Sequence, residues 1–372
     1  MSCFFCYQEP NYNKNMFDPP GIPTYFISQE SYKSYYKLND NNNISKEINT
    51  LSSLFPAQLR NDSSHIINLS GNKSRGSLHK EIDFVSKDYN NIKYPNLEVK
   101  CYSIKNPTNL KNEIILLRIK NKCFDIIDKN QKSENSEDSN SEKDNKSIDK
   151  SLLSIDSESI DKQEKITLII SHSSSKDLGI IFPLLCDLSI MLKCDVISYD
   201  YAGYGCSNGS PNYYSLKNDL ITVLDFSTIT FDIKYEDIIL LAFDIGAIPS
   251  IYVGGLPNHC SIRGMILVSP RLNFMKKQFD YDYIKEVICP VFIIQGEFEN
   301  NMDSQKIIEF AKKFKESIYW IPNKVNDYED IIIGCRLKFY KKIRKFLIHV
   351  HTTRKKISQS ISNSVNSSFI FN

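Results

Sequence analysis

The sequence predicts an α/β fold with a doubly wound, mostly parallel sheet and helices on both faces. Short apolar runs alternate with longer helical stretches between residues 166 and 347. Because these runs are almost uniformly apolar, they indicate parallel strands that are covered on both sides. The predicted strands are 97–104, 113–119, 166–171, 195–200, 238–242, 264–269, 291–295 and 318–321. The predicted helices are 178–192, 215–229, 246–253, 305–315 and 331–347.

Composition divides the 372 residues into a central domain and three polar segments. Residues 1–85 are rich in Asn, Ser and Tyr, which predicts a mostly irregular N-terminal tail. The domain itself is predicted at 90–348, and a C-terminal tail at 349–372. Residues 129–164, dominated by Ser, Asp, Lys, Asn and Glu, interrupt the domain. Such a block cannot bury enough apolar surface to offset its chain entropy, so it predicts a disordered insertion.

Charge and cysteine usage exclude several classes of protein. A formal net charge of +2 creates no field that attracts nucleic acid, and we expect no such partner. Most of the ten cysteines are scattered through apolar stretches, as in reduced cytoplasmic proteins. No apolar stretch approaches the ~18 residues of a membrane span. Basic runs at 341–345 and 354–356 fit a solvated helix face, or a supporting contact with anionic lipid.

The pentapeptide Ala-Phe-Asp-Ile-Gly at 242–246 carries the clearest chemical signal. It follows a buried-strand run and precedes an apolar helix, which is the context of a nucleophile elbow with the pattern small-x-Ser-x-Gly. Ala242 and Gly246 keep the small residues that the tight turn requires. Asp244 stands where the serine is expected, at a position with positive φ that Asp tolerates better than most residues. Ser207 also lies in a Gly-x-Ser-x-Gly pattern, but its glycines suit a loop.

Further motifs carry a family resemblance. Residues 171–179 are similar to a His-Gly-Asn-x-x-Asp-Leu-Gly loop, and 196–209 to a Tyr-Asp-Tyr-x-Gly-Tyr-Gly-x-Ser-x-Gly signature. At the N-terminus, Cys-Phe-Phe-Cys at 3–6 precedes Pro-Pro-Gly-Ile-Pro-Thr-Tyr at 19–25. Together these motifs resemble the alpha/beta-hydrolase domain-containing protein 17 family. The resemblance implies the α/β-hydrolase fold and a peripheral membrane serine hydrolase that removes palmitate from protein cysteines.

The resemblance also assigns the catalytic positions. It places the nucleophile at Asp244, the acid at Glu299 and the histidine at Asn326, or at Val325 with a slip of one residue. Ester hydrolysis by this architecture requires an alcohol nucleophile, a histidine base and an acid. The resemblance places the oxyanion donors at the backbone N–H groups of Ser174 and Ile245. The six histidines all lie outside the expected loop: His65, His79, His172, His259, His349 and His351.

These substitutions favour a pseudoenzyme that binds an acyl group or a protein partner, either an acylated protein or a partner enzyme. An active acyl (thio)ester hydrolase with an unconventional catalytic site remains the alternative, with Asp244 as a carboxylate nucleophile. A scaffold that works through the insertion at 129–164 is a third hypothesis. Ser173, which replaces the family's glycine after His172, could turn one oxyanion donor away. We expect neither a metal nor another cofactor, and the oligomeric state stays open.

Cys3 and Cys6 allow several interpretations. As a zinc half-site they lack a second pair nearby, and as a redox pair they lack the strand–helix context. Cysteines interleaved with Phe at an irregular terminus suit S-acylation, and stable anchoring requires two lipid signals. An inert tail is the remaining possibility. We expect a peripheral protein that is S-acyl anchored to the cytoplasmic face of a membrane.

Overall fold

The computed structural model describes residues 16–27, 79–86, 94–106, 109–122, 165–259, 261–271, 283–298 and 304–368. The strands are β1 (Tyr25–Phe26), β2 (His79–Ile82), β3 (Val85–Ser86), β4 (Leu97–Asn106), β5 (Asn109–Asn121), β6 (Thr167–Ser171), β7 (Asp195–Tyr199), β8 (Ile238–Phe243), β9 (Gly264–Val268), β10 (Val291–Ile294) and β11 (Ser317–Trp320). The helices are α1 (Leu178–Leu192), α2 (Tyr213–Phe231), α3 (Ala247–Gly254), α4 (Ser304–Ala311), α5 (Tyr328–Gly334) and α6 (Arg336–Ser368).

The main sheet has nine strands in the order β11-β10-β9-β8-β6-β7-β5-β4-β2. The six strands from β11 to β7 run parallel, and β5, β4 and β2 extend the sheet by antiparallel pairing. After β6 the chain places β7 on one side and β8 on the other. The carboxyl ends of β6 and β8 therefore meet at a topological switch point, where open α/β sheets bind ligands.

Helices cover both faces of the sheet. One apolar cluster packs α2, α3 and α4 against the strands through side chains such as Leu220, Ile251 and Phe310. The opposite cluster contains α1 and α6, with Leu185 and Phe346 among its members. The α/β-hydrolase fold that the sequence predicts, doubly wound with a mostly parallel sheet, is confirmed.

The structure departs from the predicted elements at both ends. The helix predicted at 331–347 is two helices, since α5 ends before Cys335 and α6 then continues to Ser368. Within the predicted irregular tail, the described residues include three strands, and β2 joins the main sheet by pairing with β4. Tyr25, in β1, is fully buried. Its hydroxyl donates a hydrogen bond to a buried carboxylate, so the buried polar group has a partner. The insertion predicted at 129–164 lies outside the described residues, and the domain boundaries stay predictions.

Within the described residues, the helices are too short or too polar to cross a bilayer.

Candidate functional site

Asp244 occupies the turn between β8 and α3, where the sequence predicts an elbow. Its φ of +53° lies in the left-handed region, as predicted for this position. Gly246 is required by a close approach, because a Cβ there would lie 2.4 Å from the carbonyl oxygen of Ser171 on β6. The sharp turn of a nucleophile elbow is therefore preserved, with a carboxylate at its tip.

The Asp244 carboxylate is held by Ser174 and Arg271. Oδ2 accepts hydrogen bonds from the backbone N–H of Ser174 at 3.0 Å and from its hydroxyl at 2.8 Å. The Arg271 guanidinium grips both carboxylate oxygens, with Nε on Oδ1 and Nη2 on Oδ2 at 2.7 Å. Nη2 also donates to the Ser174 hydroxyl oxygen at 2.8 Å. Such a bidentate, charge-assisted pair fixes the carboxylate and neutralises it.

The Ser174 N–H is one of the two predicted oxyanion donors. Ser173 is not among the described non-glycine residues with positive φ, and the Ser174 N–H still points at the elbow. In this structure Ser173 therefore does not turn the Ser174 donor away from the elbow. The donor is instead used by the Asp244 carboxylate. Ile245, the other predicted donor, is fully buried at the start of the turn into α3.

His172 lies just before Ser173 and is committed to other partners. Its Nδ1 lies 2.8 Å from the carbonyl oxygen of Ser173, and since a carbonyl only accepts, Nδ1 carries the proton. Its Nε2 lies 3.2 Å from Oδ1 of Asp200, although the ring is not oriented for a hydrogen bond to that oxygen. The ring packs against Tyr201 with centroids 4.3 Å apart. Both ring nitrogens are thus directed at groups other than Asp244.

Asp200 follows β7 and clamps residues 16–27, which we call the N-terminal strap. Its Oδ2 accepts from the Tyr25 hydroxyl at 2.5 Å, and its Oδ1 accepts from the backbone N–H of Leu178 at 3.0 Å. The strap also contacts residues 172–177, which join β6 to α1 and which we call the oxyanion loop. In this contact the N–H of Asp18 donates to the Ser174 carbonyl at 3.3 Å. Burial raises the pKa of Asp200, although His172 opposes this shift.

Of the predicted acid and histidine positions, only the histidine position lies within the described residues. Glu299 lies outside the described residues. Asn326 is exposed, and its side chain donates to Asp330 at 2.8 Å. Val325, the one-residue alternative, is buried, and its carbonyl accepts from the N–H of Phe298 at 2.9 Å. That bond joins the loops after β10 and β11, as a triad would require, but neither position offers an imidazole.

Arg271 and Tyr328 belong to the site and were missed from the sequence. Arg271 lies shortly after β9, at the same sheet edge as Asp244. Tyr328 begins α5, and its hydroxyl lies 2.8 Å from the Ser173 hydroxyl and 3.1 Å from Glu329. Burial raises the pKa of Tyr328. A basic residue placed just after a buried strand was the one available signal for Arg271.

The remaining candidate residues have contacts of their own. The Ser207 hydroxyl donates to the Asp200 carbonyl at 3.0 Å and accepts from the N–H of Ile115 at 2.9 Å, so it fixes a loop. His349 pairs with Glu316 at 2.8 Å. Cys3 and Cys6 lie outside the described residues. Over the part of the chain that the structure describes, His, Cys, Asp and Glu side chains form no group of three that could hold a metal.

Comparison with known proteins confirms the resemblance inferred from the sequence motifs. No family model matches the chain. Curated homologues include the alpha/beta hydrolase domain-containing protein aho-3 of Caenorhabditis elegans, 28% identical over 224 residues that cover 55% of this chain and 65% of the relative. Human alpha/beta hydrolase domain-containing protein 17C is 28% identical over 200 residues, which cover 50% of this chain and 59% of that protein.

The matched region spans less than two thirds of the length of these relatives, at 65% and 59%. Among solved structures, an esterase of Pyrococcus furiosus aligns over 68% of this chain and 91% of its own, with 13% identity and a TM-score of 0.49. A structural likeness of that size carries no weight for function. The chain is a hydrolase-like protein with homologues of the alpha/beta hydrolase domain-containing 17 type.

Proposed function

We propose that this hydrolase-like chain is a pseudoenzyme that binds an acyl group or an acylated protein without cleaving the acyl bond. The observation that carries the proposal is the Asp244 carboxylate, which is ion-paired to Arg271 and hydrogen-bonded to Ser174. Acyl transfer needs an attacking group, a proton acceptor and an oxyanion site at this point of the fold. The contacts of Asp244 work against the first and the third, and the contacts of His172 work against the second.

The attacking group is the first requirement. A carboxylate can attack an acyl carbon, but both oxygens of Asp244 accept charge-assisted hydrogen bonds from Arg271. These bonds stabilise the ground-state anion and lower its nucleophilicity. An acyl intermediate on Asp244 would break the ion pair and leave the Arg271 guanidinium without its carboxylate partner.

The second and third requirements concern the proton and the oxyanion. His172 is engaged by Ser173 and Asp200, and the position expected for the base is Asn326. Without a base, water is not activated to release an acyl group. A substrate oxyanion would also compete with the resident Asp244 carboxylate for the Ser174 N–H, at a point where like charges repel.

The resemblance to protein depalmitoylases supports the ligand class, which is a palmitoyl group or a palmitoylated protein segment. The same resemblance supports S-acylation of Cys3 and Cys6 and a peripheral position on the cytoplasmic face of a membrane. An active hydrolase that uses Asp244 is the second candidate, and the retained elbow with its φ of +53° favours it.

Turnover and labelling of the purified full-length chain separate the two candidates. We expect no cleavage of a palmitoyl-cysteine peptide above the buffer rate and no specific labelling by a fluorophosphonate probe. The Ser174→Ala and Ser207→Ala variants serve as controls for labelling at either hydroxyl. Multiple turnovers would establish an enzyme instead. Labelling that one of these variants abolishes would place the nucleophile of that enzyme at a serine rather than at Asp244.

Binding is tested separately with the same palmitoylated peptide and its unacylated counterpart. Fluorescence anisotropy should show tighter binding of the acylated peptide to the wild-type chain, without loss of the acyl group on recovery. Equal affinity for the two peptides would rule out acyl recognition.

A further inference from the structure

The exposed side of α6 carries a basic surface with apolar side chains among its lysines. We define the α6 basic face as Leu337, Lys338, Lys341, Lys342, Lys345 and Ile348. These side chains are all exposed, and Leu337 and Ile348 are the large apolar members. The opposite side of the helix is buried in the core through Phe339, Ile343 and Phe346. One side of the helix is therefore buried and apolar, and the solvent-exposed side carries both lysines and two large apolar side chains.

Helical periodicity gathers these residues on one side. Leu337, Lys341, Lys345 and Ile348 follow one another at intervals of four, four and three residues, which places them on a single stripe. Lys338 and Lys342 extend the stripe on one flank. At a rise of about 1.5 Å per residue, the stripe is roughly 17 Å long, enough to contact several lipid headgroups at once.

Charge on this face is not compensated locally. Residues 336–356 contain no Asp or Glu. Two of its basic residues are engaged elsewhere, because Arg336 pairs with Asp187 and Arg344 donates to the Met191 carbonyl. Lys342 lies over the Trp320 ring at 5.8 Å. Among the described residues, the other lysines of the face make no ion pair.

The exposed Leu337 and Ile348 side chains distinguish between two anionic partners, a lipid bilayer and a nucleic acid. An anionic bilayer offers phosphates to the lysines and an apolar boundary to the protruding leucine and isoleucine. A nucleic acid would use the lysines but leave those two side chains against polar sugar and phosphate, and the face has no aromatic ring for base stacking. Charge complementarity together with the apolar tips therefore favours the bilayer.

We propose that the α6 basic face docks on the surface of a bilayer that contains anionic lipid. Docking is a contact of the folded domain. It is separate from acylation of Cys3 and Cys6, and it does not depend on whether the chain binds an acyl group. Each lysine near such a surface adds a favourable electrostatic increment that salt weakens.

Vesicle co-sedimentation tests the proposal. The probes are phosphatidylcholine vesicles with and without about 30% phosphatidylserine, a composition at which surface lysines bind measurably. A chain with Cys3→Ser and Cys6→Ser, which cannot be acylated there, should bind only the anionic vesicles. Reversal of Lys338, Lys341 and Lys345 to Glu should weaken that binding by roughly tenfold or more. The Leu337→Ser/Ile348→Ser variant should also bind more weakly, with little change in salt dependence.

A matched control reverses three lysines outside the α6 basic face. Lys80 on β2, Lys105 on β4 and Lys234 are exposed, and both strands lie at the sheet edge opposite β11. Their reversal to Glu changes net charge by the same amount and should leave a larger share of the binding. Circular dichroism of each variant verifies folding. Equal losses in the two triple variants, equal binding to neutral vesicles, or preference for a single-stranded RNA probe would each overturn the proposal.

Discussion

Asp200 and Asp244 follow the two strands that flank β6, but they serve different roles. Asp200 comes directly after β7 and Asp244 directly after β8, on either side of β6. Asp200 is fully buried and is held by the Tyr25 hydroxyl, a backbone N–H and the nearby His172. Asp244 retains slight exposure and pairs with the Arg271 cation. The two aspartates lie at the same edge of the sheet, yet Asp200 accepts hydrogen bonds that hold buried segments together, whereas Asp244 forms an ion pair with Arg271.

The difference lies in what each carboxylate holds together. Asp200 joins the N-terminal strap, the oxyanion loop and the loop after β7, so it stabilises the scaffold of the site. Asp244 has a cationic partner, Arg271, which stabilises its charge. Under the proposed function, the scaffold around Asp200 is what positions a bound ligand, and the Asp244–Arg271 pair is what prevents acyl cleavage.

The largest effect is expected at the clamp. Asp200→Ala leaves the Tyr25 hydroxyl and the Leu178 N–H buried without their acceptor. Each buried donor left without an acceptor costs about 1–3 kcal/mol, so the two together should cost about 2–6 kcal/mol. Urea denaturation should show that loss in the free energy of unfolding. A loss below about 1 kcal/mol, the size expected at an exposed site, would contradict a clamp at Asp200.

A smaller, pH-dependent effect is expected at Asp219, another buried carboxyl, which accepts from the N–H of Ala202 at 2.8 Å. Burial raises its pKa to about 7. Because the folded-state pKa exceeds the unfolded value of about 4, the fold favours the protonated form, and stability from this group falls as pH rises from about 4 to 7. Asp219→Asn cannot ionise but keeps an acceptor for Ala202. It should therefore gain roughly 2 kcal/mol relative to wild type between pH 5 and pH 8.

Parallel unfolding curves at pH 5, 6.5 and 8 measure this difference. If the variant and the wild type keep the same difference in stability at all three pH values, Asp219 does not titrate in this range.

Much of the sheet and the elbow could be predicted from the sequence, because both depend on local patterns. Apolar runs mark β6 to β10, and five residues around Asp244 specify the turn. The partners of the carboxylates could not be predicted in the same way. The Tyr25–Asp200 bond joins residues 175 positions apart, and the Arg271–Asp244 pair joins residues 27 apart. Which polar side chain fills such a site depends on how the loops fold over the sheet edge.

The smallest changes in unfolding free energy are expected when the arginine is removed from either of two arginine–carboxylate pairs. These pairs differ mainly in how exposed their side chains are. Arg271 and Asp244 side chains are 32% and 10% exposed, whereas Arg336 and Asp187 are 45% and 30% exposed. Arg271→Ala should cost about 1–3 kcal/mol, because it leaves a mostly buried carboxylate without its cation. Arg336→Ala should cost less than about 1 kcal/mol, since water and salt replace an exposed partner.

Salt dependence sharpens the same comparison. Raising NaCl from about 0.1 to 1 M shortens the screening length from about 10 to 3 Å, which weakens the exposed pair more than the shielded one. The cost of Arg336→Ala should therefore shrink in high salt while that of Arg271→Ala persists. Arg271→Lys, which keeps the charge but not the bidentate grip, should recover part of the loss. Equal costs that fall together with salt would mean that Arg271 is an ordinary surface partner and that Asp244 is free to do chemistry.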